Sequence, residues 1–297
     1  MNTYKTGVKQ FTQFCCILNI NPLPLSEQVL ENFVTSISRR VGAKTILCYL
    51  CGVQYWSKLQ GCQVIIADMV RLPYVIRGIR RWQGKSHTRP VRRPITIHLL
   101  TIILQYIDTK FVHCDRLMYR AAVLTAFFGM LRVSEYTAPS RSSYDPELHL
   151  TINDVSFSDS FRVVCLVLKS SKTDPFRAGV CVRIGSTNDQ FCPVLAMTQY
   201  LASRPRASGP LFIFRDCSHF TRSNVRDLLR HSLPNVADVS SHSFRRGGAS
   251  ALANAGMPHH VIQILGRWRS DAYRLYVHFP DSFIRQVSLT VASRFHQ

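Results

Sequence analysis

The residues best suited to phosphate chemistry lie in the segment SSHSFRRGGASALANAG. His242 and Arg245 are three positions apart, so they share one face if the segment is a helix, and Ser240 or Ser241 is placed to cap its beginning. A helix N-terminus attracts anions because its free N–H groups and its dipole favour negative charge. The segment therefore predicts a helix that presents a histidine and an arginine to a phosphate group.

Two adjacent glycines follow this pair. Gly247 and Gly248 each cost a helix about 1 kcal/mol relative to alanine. Such a cost is tolerated where another element must approach the backbone closely. We therefore expect the predicted helix to pack tightly against a neighbour.

Two further cations lie where functional side chains are often displayed. Arg132 follows the apolar run TAFFGML, and Glu135 lies one helical turn beyond it on the same side. Lys172 lies in KSSKTDPF, in a turn that leaves a predicted strand. An isolated arginine is more often a structural ion-pair partner, and an isolated H-x-x-R pair is common by chance. Their occurrence together favours a phosphate-binding site.

Helices predominate among the elements that must position these residues. Apolar residues recur at helical spacing near residues 5–19, 26–40, 43–60 and 66–82, and again in several segments after Thr96. Ser26 is the predicted N-cap of the second segment. Strand-like patterns are confined to HLTINDVSFS, RVVCLVLKSS and GVCVRIGS. The predicted fold class is mainly α with a small antiparallel β-sheet, an α+β fold.

A basic segment divides the chain. Between Arg71 and Arg93 there are eight Lys or Arg and no acidic residue, and QGKSHTRPVRRPIT has the composition of an extended linker. A solvated loop is the simpler interpretation, but the missing counter-charges favour contact with nucleic acid. We predict a helical domain over residues 1–85, a basic linker over 86–95 and a second domain over 96–297.

The charge balance also points to a polyanionic partner. Thirty-seven Lys and Arg against seventeen Asp and Glu give a net charge of +20, which favours release of counterions from nucleic acid. No membrane association is expected, since the sequence has neither a long apolar span nor a basic amphipathic helix. The first residues, MNTYKTGVKQF, lack a signal-peptide core, so secretion is not expected.

Ten cysteines are scattered through apolar segments, where free buried thiols are the simplest interpretation. Cys48 and Cys51 form a CxxC pair without a second pair at zinc-ligand spacing. No metal site is predicted.

These motifs resemble the tyrosine recombinase and phage integrase family, most closely the recombinases of eukaryotic DIRS and Crypton mobile elements. GMLRVSE matches the family pattern G-x-x-R-x-x-E, SKTD its lysine turn, HSFR its H-x-x-R motif, and LGRWRSDAYRLY the block that ends at its tyrosine. The resemblance covers nearly the whole chain. It implies a SAM-like helical core-binding domain followed by a catalytic domain, which together clamp DNA.

The resemblance implies a site-specific recombinase that cleaves and rejoins DNA through a 3′-phosphotyrosine intermediate, without a metal or other cofactor. Tyr276 would be the nucleophile, and Arg132 and Arg245 would clamp the phosphate, because guanidinium groups bind phosphate oxygens in pairs. Lys172 would protonate the departing 5′ oxygen, and His242 would assist proton transfer or hydrogen-bond the phosphate.

One position departs from the family pattern. Many relatives have histidine directly after the LG pair, where this chain has Arg267 followed by Trp268. The resemblance assigns the sixth catalytic position to Trp268, and Arg267 stays a candidate phosphate contact. Tyr273 is a rival nucleophile, but the family spacing favours Tyr276, so we expect Tyr273 to pack inside the protein.

The implied partners are double-stranded DNA and further copies of the chain, as a dimer to tetramer on DNA. The expected DNA contacts are Lys44, Arg77, Arg80, Arg81, Arg92, Arg93 and Arg267. The expected compartment is the nucleus for a eukaryotic host, and otherwise the cytoplasm or nucleoid.

Other functional classes are less well supported. A DNA-binding protein derived from a mobile element would share these motifs after losing catalysis. A metal-dependent DDE-type transposase needs clustered carboxylates, which this acid-poor sequence does not offer. A type IB topoisomerase shares the tyrosine chemistry, and sequence separates it from a recombinase only imperfectly.

Overall fold

The computed structural model describes residues 2–84, 92–170, 174, 176–275 and 281–293 of the 297. The chain folds as two compact units, Met1–Pro90 and Val91–Gln297. Each has a core of its own.

The first unit is helical, with no strand among its described residues. Its helices are α1 (Asn2–Ile17), α2 (Glu27–Ile37), α3 (Ala43–Leu59) and α4 (Leu72–Gln83). The apolar faces of all four helices meet in one core, which contains Phe11, Phe33, Val53 and Ile76. Ser26 precedes α2 as predicted, but its side chain makes no capping hydrogen bond.

The fourth helix begins later than the sequence predicted. A short 3-10 helix, Ile66–Asp68, comes first, and α4 starts only at Leu72, with a proline in its first turn. Proline lacks an N–H and fits the first turn of a helix. The carboxylate of Glu27 accepts the N–H groups of Arg71 at 2.6 Å and of Leu72 at 3.0 Å. These bonds lower the pKa of Glu27 and hold α4 against the beginning of α2.

The second unit combines eight described helices with one small sheet. The helices are α5 (Ile97–Lys110), α6 (His113–Phe128), α7 (Val133–Tyr136), α8 (Pro193–Ser203), α9 (Arg222–Ser232), α10 (His242–Asn254), α11 (His259–Leu265) and α12 (Asp281–Ser293). The strands β1 (Val155–Ser158), β2 (Val163–Leu168) and β3 (Val180–Gly185) pair antiparallel in the order β1-β2-β3. The predicted fold class is confirmed.

Alternation along the strands directs one face of the sheet into the core. Leu166 lies opposite Val155 on one side and Val182 on the other, and both Leu166 and Val182 are buried. Cys165 alternates to the opposite face, where Ser158 lies 3.7 Å from its sulfur. The connection from β2 to β3 contains Lys172, which lies outside the described residues.

Helix α6 forms the centre of this core, and α10 packs against it. A Cβ atom at Gly247 would overlap the carbonyl oxygen of Ile95, and one at Gly248 would overlap the carbonyl oxygen of Phe127. No side chain fits at either position, so the close packing predicted for these glycines is confirmed. None of the described helices combines the length and apolar character that a bilayer crossing requires.

Candidate active site

The end of α6 turns sharply and displays Arg132. Gly129 ends the helix, Met130 adopts a left-handed φ of 46°, and the N–H of Leu131 donates to Ala126 O over 3.0 Å. This is the Schellman hydrogen-bond pattern, which satisfies the last carbonyls of a helix and reverses the chain. Arg132 thereby becomes the residue that precedes α7.

Glu135 of α7 links two arginines that are distant in sequence. Its Oε1 accepts a hydrogen bond from Nη1 of Arg132 at 2.6 Å, and its Oε2 accepts one from Nη2 of Arg267 at 3.0 Å. Oε2 also accepts the backbone N–H of Arg132 at 2.8 Å. Only 1% of the Glu135 side chain is exposed. The GMLRVSE and LGRW motifs therefore meet at one buried carboxylate.

Arg245 of α10 joins the same corner. Its Nη1 donates to Met130 O at 2.5 Å, its Nη2 donates to Gly266 O, and the residue is 1% exposed. The guanidinium carbon lies 4.4 Å from the ring centroid of Trp268, a cation–π geometry. Arg245 thus binds both the end of α6 and the end of α11.

The beginning of α10 presents His242 at the surface. Ser241 occupies the N-cap position, as one of the two predicted serines, but its side chain makes no capping bond. Instead, the hydroxyl of Ser243 accepts the N–H of Ser240 at 3.0 Å. Since Arg245 lies one turn further along α10, the helix carries one exposed and one buried candidate site residue.

The end of α11 repeats the geometry of the end of α6. Arg267 has a left-handed φ of 57°, and the N–H of Trp268 donates to Gln263 O at 3.0 Å. A Cβ at Gly266 would overlap the indole of Trp268, so a larger residue here requires that ring to move. The LGRW segment is therefore a Schellman motif in which arginine, rather than glycine, adopts the left-handed conformation.

The guanidinium of Arg267 is directed into the protein. Nη1 donates to Gly129 O at 3.0 Å, Nη2 donates to Met130 O at 3.2 Å, and 13% of the side chain is exposed. Burial lowers the pKa of Arg267, Glu135 opposes that shift, and the charge of Arg132 adds to it.

Tyr273 lies in the 3-10 helix Asp271–Leu275 and is 3% exposed. Its ring packs in a small cluster that includes Met130, Ala253 and Ile262. The prediction that Tyr273 packs inside the protein is confirmed. Tyr276 lies outside the described residues.

A cavity of about 290 Å³ opens beside this cluster. Arg132, Arg267 and Trp268 line one part of it, and Asp174 and Gly179 of the β2–β3 connection line another. The N–H of Gly179 donates to the carboxylate of Asp174 at 2.9 Å, which lowers the pKa of that carboxyl. The cavity therefore has three arginines at its edge, since Arg269 lines it as well, and space for a small anionic group.

Comparison with known proteins decides the family. The model of the phage integrase family matches residues 98–281, which include this corner, α10 and the LGRW segment. The chain belongs to the phage integrase family. No curated protein matches it.

Three solved structures illustrate the shared fold. The XerH site-specific recombinase bound to palindromic difH substrate, in a post-cleavage complex, is 17% identical over 100% of this chain and 80% of that chain, with a TM-score of 0.68. The Tn1549 transposon integrase in complex with transposon right end DNA is 16% identical over 98% and 94%, with a TM-score of 0.60. A lambda integrase dimer bound to a COC′ core site is 12% identical over 93% and 87%, with a TM-score of 0.57.

Within this phage integrase fold, four of the predicted site residues come together. Arg132, Arg245, Arg267 and Trp268 meet at the ends of α6 and α11, while His242 lies at the exposed beginning of α10. Among the described residues, no three His, Cys, Asp or Glu side chains form a group that could hold a metal ion.

The expected DNA contacts that are described lie mostly at the surface. Those in the first unit are Lys44 of α3 and Arg77, Arg80 and Arg81 of α4, all exposed. In the second unit, exposed Arg92 lies 3.7 Å from the carboxylate of Asp238, and the N–H of exposed Arg93 donates to Asp238 O at 3.0 Å.

Sequence reasoning missed a second basic surface on α9. Arg222, Arg226 and Arg230 are four residues apart along the helix, and with Arg92 they line a cavity of about 670 Å³ that reaches Ser241, just before α10. The spacing R-x-x-x-R-x-x-x-R places three cations on one face of a helix, and it could have predicted this basic surface from the sequence.

Proposed function

We propose that this member of the phage integrase family is a site-specific DNA recombinase that cleaves and rejoins double-stranded DNA through a 3′-phosphotyrosine intermediate. The observation that carries the proposal is the convergence of Arg132, Arg245 and Trp268 around the ends of α6 and α11. The three related structures described above are complexes with DNA, which agrees with this substrate. The motifs further favour an origin among DIRS- or Crypton-type elements.

In the proposed reaction, the hydroxyl oxygen of Tyr276 attacks the phosphorus as the bond to the 5′ oxygen breaks. Lys172 supplies a proton to that oxygen, and His242 receives the proton that the hydroxyl of Tyr276 loses. Arg132 and Arg245 stabilise the charge that develops on the phosphate oxygens, because a preorganised cation needs little rearrangement in the transition state. Trp268 stacks on Arg245 and keeps it in place. No metal ion or other cofactor takes part in this proposal.

We propose that residues 1–85 form a core-binding domain, that 86–95 are a basic linker and that 96–297 are catalytic. The exposed cations of α3 and α4, with Arg92 and Arg93, would contact DNA phosphates, and the three arginines of α9 extend this set. Recombination joins two DNA partners, so two to four copies of the chain would act together on DNA. In a eukaryotic host the protein would work in the nucleus, and otherwise in the cytoplasm or nucleoid.

The decisive experiment traps the covalent intermediate. The protein is incubated, in EDTA, with nicked duplexes that carry the repeats flanking its gene, and the products are resolved under denaturing conditions. A protein–DNA adduct is expected for the wild type and for Tyr273→Phe, if the latter stays folded, and none for Tyr276→Phe. Binding without any adduct would instead support a catalytically silent DNA-binding protein. Loss of the adduct only in Tyr273→Phe would move the nucleophile to Tyr273.

A further inference from the structure

Arg267 stands at the position where many relatives have a histidine, and its contacts suit a different role from phosphate binding. Its Nη1 donates to the carbonyls of Gly129 and, at 3.3 Å, Leu265, while its Nη2 donates to Met130 O and Glu135. These contacts join the end of α11 to the end of α6. These four contacts match the four Nη hydrogens of Arg267, and its Nε is buried, so no donor of this guanidinium is directed to DNA.

The backbone of Arg267 reinforces this arrangement. Helix α10 ends in the same Schellman pattern with Gly256 in the left-handed conformation, where glycine has no steric penalty. In α11 the glycine lies one residue earlier, at Gly266, where the indole of Trp268 packs against it. The left-handed residue is Arg267, and such a conformation persists in a non-glycine residue where surrounding contacts hold it.

The contacts of Arg267 with the end of α6, which we call the tether, also have an electrostatic effect. Glu135 is the carboxylate partner of both Arg132 and Arg267. One carboxylate shared by two guanidinium groups leaves the cluster with net positive charge. If Arg267 were absent, Glu135 would be free to pair with Arg132 alone, and the attraction of Arg132 for a phosphate would fall.

We infer that Arg267 is a positioning residue that ties the segment Gly266–Leu275 to the end of α6. Because Arg267 shares Glu135 with Arg132, this carboxylate does not neutralise Arg132 alone, and Arg132 attracts the phosphate more strongly. This inference rests on the proposed recombinase function. It replaces direct phosphate contact as the role of Arg267.

The first test separates positioning from DNA contact. The Arg267→Gln variant is compared with wild type for the rate of adduct formation at saturating DNA and for the salt dependence of binding. We expect the rate to fall by about 100-fold, because the catalytic groups that Arg267 positions would be misplaced, and we expect the salt slope to stay unchanged. A salt slope reduced by about one, with the saturated rate unchanged, would assign Arg267 to DNA contact and overturn the inference.

Two controls calibrate this test. Arg162→Gln removes an exposed cation between β1 and β2 that pairs with Asp159, and it should leave both rate and salt slope unchanged. Arg267→Lys keeps the charge beside Glu135 but loses the planar fork, so its rate should lie between those of wild type and Arg267→Gln. A rate for Arg267→Lys as low as that for Arg267→Gln would contradict the shared-charge part of the inference.

A double-mutant cycle tests whether Arg267 acts through Glu135. Glu135→Gln keeps an oxygen for the N–H of Arg132 but removes the negative charge. We expect the double variant Glu135→Gln with Arg267→Gln to cleave no more slowly than Arg267→Gln alone, because contacting residues are coupled. Multiplication of the two single effects would show independent roles and contradict the inference.

A readout without DNA distinguishes failure of the tether from failure of the proposed function. Hydrogen exchange is measured at the backbone N–H groups of Gly266 and Trp268, which donate to Ile262 O and Gln263 O. In Arg267→Gln their exchange should accelerate by about tenfold, with α8 and the Arg162→Gln control unchanged. Unchanged exchange would contradict the inference that Arg267 forms this tether, whether or not the wild type forms an adduct. A wild type that forms no adduct would contradict the recombinase function alone.

Discussion

The ends of α6 and α11 share one backbone motif and are stabilised in different ways. In both, a glycine ends the helix, a non-glycine residue adopts the left-handed conformation, and the next N–H closes the Schellman pattern. In α6 the left-handed residue is Met130, which is 1% exposed, and Leu131 after it is also buried. In α11 the corresponding residues are Arg267, bound to carbonyls and Glu135, and Trp268, stacked on Arg245.

This difference shows how one local geometry serves two purposes. The end of α6 is anchored by apolar burial, whose strength depends on the area removed from water. The end of α11 is anchored by charged hydrogen bonds, which depend on a few donors and acceptors being present together. Substitutions should therefore affect stability mainly at the end of α6 and activity mainly at the end of α11, with Glu135 as the point where the two regions are joined.

The largest effect is expected from Glu135→Ala. The change leaves two largely buried guanidinium groups without their carboxylate, and loss of one member of a buried ion cluster costs about 4 kcal/mol. Urea unfolding should show this loss in the free energy of unfolding. The control Asp227→Ala removes the partner of exposed Arg226 on α9 and should change the free energy of unfolding by about 0.5 kcal/mol or less. Equal effects of the two changes would mean that Glu135 does not join the two helix ends.

A glycine exchange at the two left-handed positions tests the comparison directly. Met130→Gly relieves the backbone by about 1 kcal/mol but loses a buried side chain worth about 3 kcal/mol, a net loss of about 2 kcal/mol. Arg267→Gly gains the same relief, and the buried Glu135 keeps its hydrogen bonds to Arg132, so loss of the Arg267 hydrogen bonds should cost a net amount of about 1 kcal/mol. Adduct formation should nevertheless fall more in Arg267→Gly. The reverse ranking in unfolding measurements would contradict the assignment of apolar anchoring to α6.

The smallest effect is expected from Gly266→Ala. The added Cβ must displace the indole of Trp268, a side chain that is only partly buried and has room to move, at a cost of about 1 kcal/mol. Tryptophan fluorescence should shift as the ring leaves Arg245. Gly185→Ala is the matched control, because nothing lies within 4 Å of a Cβ at that position. A fluorescence shift in the control alone would contradict the role given to Gly266.

Local patterns in the sequence predicted much of the fold. Helical periodicity and strand-like alternation predicted the α+β fold class, because both follow from backbone geometry over a few residues. The glycine pair at Gly247 and Gly248 predicted close packing, since a residue with a Cβ atom would overlap the neighbouring backbone at either position. The beginning of α4 was predicted too early, because the carboxylate that holds it, Glu27, lies 44 residues before Arg71.

Part of the site was also visible in the sequence. The spacing of GMLRVSE placed Glu135 on the side of Arg132, and the two side chains are paired. The inward direction of Arg267 was not predictable, since its partner Glu135 is 132 residues away. The roles predicted for Lys172 and Tyr276, which lie outside the described residues, stay predictions.

The sequence by itself determined the residue types and their short-range spacing, from which the helices, the strands and the family motifs follow. Only the tertiary structure decided which of these cations face solvent and which are buried. Arg245 and Arg267 are both arginines within recognisable motifs, yet both donate to main-chain carbonyls at the end of α6. The physical reason is that a guanidinium group satisfies its donors wherever the fold leaves unpaired carbonyls, and helix ends supply such carbonyls only after the helices have packed.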